Sequence, residues 1–123
     1  MKRLVFDLDG TLTLLNGGDY STAEPNSEVI EKLKSYKNEG YEIIINTARN
    51  MRTHENNIGK INKNTTPLII DWLNKNKVPF DELHIGKPWC GTEGFYIDDK
   101  AIRPSEFCSL SKDEIKDILN AEK

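Results

Sequence analysis

The chain predicts an α/β fold: a doubly wound, Rossmann-like and mostly parallel sheet with helices on both faces. Two observations predict it. Short apolar runs alternate with stretches whose apolar residues recur at helical spacing, the order that gives parallel strands joined by crossover helices. The first apolar run, Leu4-Val5-Phe6, feeds straight into Asp7-Leu8-Asp9-Gly10-Thr11. That places two carboxylates at a strand end, where α/β sheets bind their ligands.

The elements follow in order. A strand is expected near Arg3 to Leu8. A helix is expected near Ser27 to Glu39, because Pro25-Asn26-Ser27 supplies starting residues, Val29, Ile30, Leu33 and Tyr36 form an apolar stripe, and Gly40 supplies the stop. Glu42 to Asn46 reads as a second strand and Pro67 to Asn76 as a second helix, with Trp72 in its core. Further strands are expected near Glu82 to Ile85 and Gly94 to Ile97. A last helix, Lys112 to Asn120, carries Ile115, Ile118 and Leu119 behind an N-cap at Ser111 with Glu114 three residues on, and should close one side of the sheet. Two polar segments, Leu12 to Glu24 and Arg49 to Thr66, break the alternation and read as loops walling a pocket rather than as core.

Composition narrows the class. The 123 residues suit one domain, 1–123, large enough to bury about two thirds of its unfolded surface without staples. Cys90 and Cys108 have no metal-ligand spacing and read as free thiols in a reducing compartment. No stretch reaches the roughly 18 apolar residues of a membrane span, and the Met-Lys-Arg start enters a strand too short for a signal sequence. A soluble, cytoplasmic protein is expected, with no membrane partner. The net charge of −3 argues against nucleic acid as the main partner. Lys60, Lys63, Lys75 and Lys77 are still enough for a local basic patch suited to a small phosphorylated metabolite.

Carboxylates two residues apart on an extended chain point to the same side. Asp7 and Asp9 would repel each other there unless compensated, and a hard cation with oxygen ligands, Mg2+, does so most simply. The Asp7-Leu8-Asp9-Gly10-Thr11 motif resembles the signature of the haloacid dehalogenase-like superfamily. The later elements agree in order and strand context: Ile43-Ile44-Ile45-Asn46-Thr47, then Lys87 after Leu83-His84-Ile85-Gly86, then Asp98-Asp99 after Phe95-Tyr96-Ile97. Four elements across most of the chain make a specific match.

The resemblance implies a Mg2+-dependent phosphatase in which Asp7 attacks phosphorus to form an aspartyl-phosphate, splitting one difficult displacement into two easier ones. Asp9 would be general acid and then base, its proton favoured by the negative charge of Asp7. Thr47 would donate its hydroxyl to a phosphoryl oxygen, assisted by the amide of Ala48, although a Thr there also suits a helix N-cap. Arg49 either clamps phosphate or pairs with a surface carboxylate. Lys87 would neutralise charge on the nucleophile and the phosphoryl group. Asp98 would complete the metal site, with Asp99 either a further metal group, directly or through water, or a helix cap. Trp89, beside Lys87, either stacks on a ligand or packs locally. Tyr20 and His54 lie in the pocket loops, His54 as a candidate substrate contact.

In that family, cap domains are inserted at places such as these two loops. Here about 40 residues separate Asp7 from Thr47, and again Thr47 from Lys87, and core elements fill both gaps. The chain therefore reads as a capless member. An open site needs covering, so a homo-oligomer is expected in which Arg49 to Thr66, with Met51, Ile58 and Ile61, packs on a partner and presents His54, Asn57 or Lys60. Across GYEIIINTARNM, NIGKIN, VPFDELHIGKPWCG and GFYIDDKAIRPSEF the sequence also resembles small bacterial proteins of capsule and surface polysaccharide biosynthesis. That resemblance implies a phosphorylated sugar or capsule building block as substrate. The rival readings are a nucleotide or nucleic-acid-end phosphatase, and a non-catalytic phospholigand-binding subunit.

Overall fold

A computed structural model describes residues 1–15 and 19–123; residues 16–18, within the expected Leu12 to Glu24 loop, lie outside the described residues. The chain divides into two compact units, Met1–Trp89 and Cys90–Lys123.

The first unit is built on three strands, β1 (Arg3–Phe6), β2 (Glu42–Thr47) and β3 (Glu82–Ile85), in the spatial order β1-β2-β3. Both pairings are parallel, with Phe6 opposite Ile45 and Thr47 opposite Ile85. Helix α1 (Ser27–Asn38) crosses from β1 to β2, and α2 (Ile58–Asn64) with α3 (Thr66–Lys75) crosses from β2 to β3. The α/β class read from the alternation is the one the chain adopts.

Central β2 is the core of the unit. Its Ile43 and Ile45 are buried, as are Val29 and Leu33 of α1, Ile69 and Leu73 of α3, and Leu8 and Leu12 beyond β1. Each such side chain contributes about 1.5–3 kcal/mol. The stripe expected for α1 is the one it buries, Val29, Ile30, Leu33 and Tyr36. The helix is capped by the Asn26 side chain, which accepts from the Val29 amide, and it ends at Gly40 with φ +95°, a conformation glycine adopts without strain. Asp81 fastens its far end: the carboxylate accepts from the Ile43 amide and from Lys37 Nζ, both at 2.8 Å. Trp72 of α3 is buried with its indole N–H donating to the Ala23 carbonyl at 2.9 Å.

Two expectations are corrected in this unit. The Arg49 to Thr66 segment is not a polar loop, because it contains α2, which buries Ile61, and a run of turns that buries Met51. Asn and Gly weaken the helical signal, and the helix forms because Asn57 caps it, accepting from the Lys60 amide at 3.1 Å, and Ile61 packs inward. Of the three residues expected to meet a partner, Met51 and Ile61 belong to this chain's own core and Ile58 is exposed. The Leu12 to Glu24 segment likewise starts inside, with Leu12 and Thr13 buried and hydrogen bonds from Leu14 N to Glu24 O and from Asn26 N to Leu12 O, both 2.8 Å.

Alternate residues of the three strands share a face. Arg3 and Val5, Ile44 and Asn46, Glu82 and His84 line a groove of about 420 Å³ that ends at Lys87.

The second unit carries α4 (Pro104–Ser109) and α5 (Lys112–Asn120). Ser111 caps α5 as expected, its hydroxyl accepting from the Glu114 amide at 3.2 Å while Glu114 Oε1 accepts from the Ser111 amide at 2.9 Å. None of the helix's residues is buried. Gly94 to Ile97 is not a strand here, and Phe95, Tyr96 and Ile97 are exposed. Cys90 and Cys108 are free thiols. Among the described residues, no helix is long and apolar enough to cross a membrane.

Candidate active site

The site of the first unit is built where the strands end. Beyond β1 the backbone turns tightly, and the Leu8 carbonyl accepts from the amides of Thr11, Leu12 and Thr13 at 2.9–3.2 Å. Gly10 makes the turn possible with φ +86°, a conformation costly for a residue with a Cβ. The buried Leu8 between the two acids anchors the turn, so Asp7 and Asp9 are both left facing the crevice.

Asp7 is gripped on both oxygens. Thr11 Oγ1 donates to Oδ2 at 3.3 Å, and Lys87 Nζ stands 3.5 Å from Oδ1. Lys87 is brought there because β3 runs beside β2: the Lys87 amide donates to the Thr47 carbonyl at 3.1 Å. Partial burial pushes the Asp7 carboxyl above the usual aspartate value of 3.8. The Lys87 ammonium and the Leu8 amide oppose that push, and neighbouring Asp9 adds to it. A partly dehydrated carboxylate with an ammonium beside it is poised either to bind a cation or to attack an electrophile.

Thr47 ends β2, buried, and its hydroxyl accepts from the Arg49 amide at 3.1 Å. That contact closes a turn around Ala48 instead of capping a helix, because turns, not a helix, follow β2. Arg49 answers the open question about its partner. Its guanidinium is buried and grips Asp9 through two bonds, Nε to Oδ2 at 3.0 Å and Nη2 to Oδ1 at 2.7 Å, the two-pronged geometry that makes Arg–carboxylate pairs strong. The Tyr20 ring stacks on the same guanidinium, 4.2 Å from its carbon to the ring centroid. Thr13 Oγ1 also donates to Asp9 Oδ1 at 3.4 Å. Asp9 thus faces a guanidinium in addition to the neighbouring Asp7 carboxylate. Both the Asp9 partnership and the Tyr20 stack were missed in the sequence. Tyr20 had been placed only in a pocket loop.

Two of the other expected contacts, His54 and Trp89, have neighbours outside this cluster. His54 is half-buried in the turns after β2, and no described hydrogen bond or ion pair joins it to Asp7, Asp9, Thr47 or Lys87. Trp89 is half-exposed and its ring carries the Arg52 guanidinium at 5.3 Å, a local cation–π contact. Asp98 and Asp99 belong to the second unit, where the Asp98 carboxylate accepts from the Lys100 amide at 2.9 Å.

The residues of the first unit fit Mg2+ in kind. Asp7 offers a hard oxygen whose charge is partly dehydrated, and Mg2+ is commonly held by one or two carboxylates, with waters and a substrate phosphate completing the shell. Among the described residues no group of three or more His, Cys, Asp or Glu converges on one point.

No curated protein matches the chain. The crystal structure of a target protein from Vibrio cholerae is 56% identical over 100% of both chains, with a TM-score of 0.98. Two structures of the Pnkp1/Rnl/Hen1 complex, one described as an RNA repair complex, are 28% and 27% identical, with TM-scores of 0.50 and 0.52. They match 68% and 80% of this chain but only 25% and 30% of theirs. The family model of haloacid dehalogenase-like hydrolases matches residues 4–123, nearly the whole length, and the chain belongs to that family.

Proposed function

We propose that this hydrolase is a Mg2+-dependent phosphomonoesterase acting through an aspartyl-phosphate on Asp7. The observation that carries the reading is the Asp7 carboxylate at the end of β1, held between Thr11 and Lys87 with the end of β2 alongside. Thr11 and Lys87 orient the carboxylate, and Lys87 offsets charge as the phosphoryl group arrives. Mg2+, when bound at Asp7, supplies charge neutralisation for the phosphate dianion. The Thr47 hydroxyl and the Ala48 amide lie on the turn that would face the transferred oxygens. Asp9 protonates the leaving oxygen and then takes a proton from water. Both its oxygens accept from Arg49, so one of those bonds gives way when substrate enters, and the Arg49–Asp9 fork is a resting state of the acid.

The substrate we propose is a small phosphorylated sugar or capsule building block, on the sequence resemblance to capsule and surface polysaccharide proteins. A nucleic-acid-end phosphatase is the second reading, favoured by the likeness to the RNA repair complex. A phosphate-release screen with Mg2+, covering sugar phosphates, nucleotides and a 3'-phosphorylated oligonucleotide, tests both. Release from sugar phosphates above all others is expected, preference for the oligonucleotide selects the second reading, and no release from any substrate overturns the phosphatase itself.

A further inference from the structure

Tyr20 is held more firmly than a half-exposed loop aromatic needs to be. Its short helical turn, Tyr20–Thr22, is tied at both ends. The Asp19 carboxylate accepts from the Ser21 amide at 3.1 Å, the Asp19 carbonyl from the Thr22 amide at 3.1 Å, and the Tyr20 carbonyl from the Ala23 amide at 3.3 Å. The chain just beyond is fastened to the rest of the unit, because the Ala23 carbonyl takes the Trp72 indole N–H and the Glu24 carbonyl takes the Leu14 amide. Among the described residues the Tyr20 hydroxyl has no hydrogen-bond partner, whereas the ring face lies 4.2 Å from the Arg49 guanidinium carbon. The ring face is the part of this residue that meets the site.

Arg49 is buried, and a cation on an aromatic face is held most strongly where water is excluded. Among the described residues its side chain hydrogen-bonds only to Asp9, through Nε at 3.0 Å and Nη2 at 2.7 Å. Both donors lie in the guanidinium plane, so a carboxylate gripped by both is held in that plane too. The two bonds resist sliding within the plane. Tilting out of it is resisted by what lies against the faces, and Tyr20 lies against one of them. The fork has to loosen when Asp9 offers an oxygen to the leaving group. With the ring in place, the guanidinium moves along the Asp9 edge without tilting toward Tyr20, and the carboxylate keeps its direction.

We propose that Tyr20 is a positioning residue for Asp9: its ring face keeps the Arg49 guanidinium in the plane of the Asp9 carboxylate, so that Asp9 hands its proton to the leaving oxygen along one direction. In that step an Asp7 oxygen bonds to phosphorus, the bond from phosphorus to the leaving oxygen breaks with its electron pair staying on that oxygen, and the Asp9 proton neutralises it. The proton step rests on the phosphatase reading above; the hold of Tyr20 on Arg49 does not. The consequence is selective, because a leaving group that departs readily as an anion takes little from a general acid, and a poor one takes much.

The test compares wild type with Tyr20→Phe, which keeps the ring face, and Tyr20→Leu, which fills similar space without one. Phenyl phosphate and 4-nitrophenyl phosphate, alike in shape, are the poor and the good leaving group. With Mg2+ present, Tyr20→Leu is expected to lower kcat about tenfold on phenyl phosphate and less than about threefold on 4-nitrophenyl phosphate, with Tyr20→Phe close to wild type on both. Equal losses on the two esters, a Phe variant as slow as the Leu variant, or a Leu variant as fast as wild type on phenyl phosphate overturns the proposal. A second measurement needs no turnover: exchange of the Arg49 Nε–H with water, followed by NMR, is expected to be about tenfold faster in Tyr20→Leu than in wild type or Tyr20→Phe. Equal exchange in wild type and the Leu variant overturns the hold on Arg49 and the proposal with it. Where wild type releases phosphate from neither ester, the exchange measurement alone decides, while the substrate screen above judges the phosphatase reading separately.

Discussion

Asp7 is asked to be both buried and charged. Its carboxyl is raised above 3.8 chiefly by burial, net of the opposing pull of Lys87. The folded protein therefore favours the neutral acid, and ionisation costs stability as pH rises through the folded value. Metal-free Asp7→Asn is accordingly expected to melt above metal-free wild type at neutral pH, with the difference disappearing below pH 3.8, where Asp7 is protonated in both states. The same variant should release no phosphate, because an amide is no nucleophile. Thermal melts across pH check the first part, and an equal or lower melting temperature for the variant at neutral pH would contradict it. Asp9 and Arg49 couple differently. A double-mutant cycle through Asp9→Asn and Arg49→Met should show an interaction of about 1–3 kcal/mol, because truncating one partner of a buried fork leaves the other unpaired. Additive effects would mean that the fork contributes little. The identity of that pair was not legible in the sequence. Arg49 had two plausible partners, and the choice depends on a fold-back of 40 residues that local spacing does not encode.

At the scale of elements, what the sequence showed best was periodicity backed by punctuation. α1 has a stripe, a cap at Asn26 and a stop at Gly40, and all three are where the residues put them. Thr47 and Lys87 were legible as site residues because parallel strands bring their carboxyl ends together, and the pairing of Thr47 with Ile85 does that here. α2 was hidden because its seven residues combine Asn, Gly and Lys with a single inward Ile61, so tertiary burial decides what propensity leaves open. Gly94 to Ile97 failed in the opposite sense: the residue types are strand-like, and the segment is not a strand. Leu33→Ala, at a fully buried position of α1, is expected to cost about 2–5 kcal/mol in chemical denaturation without altering the site. A loss below 1 kcal/mol would mean that α1 packs less tightly on the sheet than its burial shows.

For the whole molecule, metal and turnover are the joined expectation. Phosphate release should vanish in excess chelator, return with Mg2+, and return poorly with Ca2+, whose larger and looser coordination shell places the phosphate badly for in-line attack by Asp7. Activity that survives chelation with no metal found by elemental analysis would contradict the metal assignment. Family and fold class were legible because the Asp7-to-Thr11 motif, Thr47 and Lys87 follow apolar runs that pair as parallel strands. The substrate was not, since Asp7, Thr47 and Lys87 address the phosphate group that all phosphate esters share. The central claim is that phosphate passes through Asp7, and acid-quenching the enzyme during turnover with a labelled phosphate ester tests it most directly. The label is expected on the peptide carrying Asp7, sensitive to hydroxylamine as an acyl phosphate is, and absent from Asp7→Asn. An active enzyme that never carries label on that peptide would contradict the account.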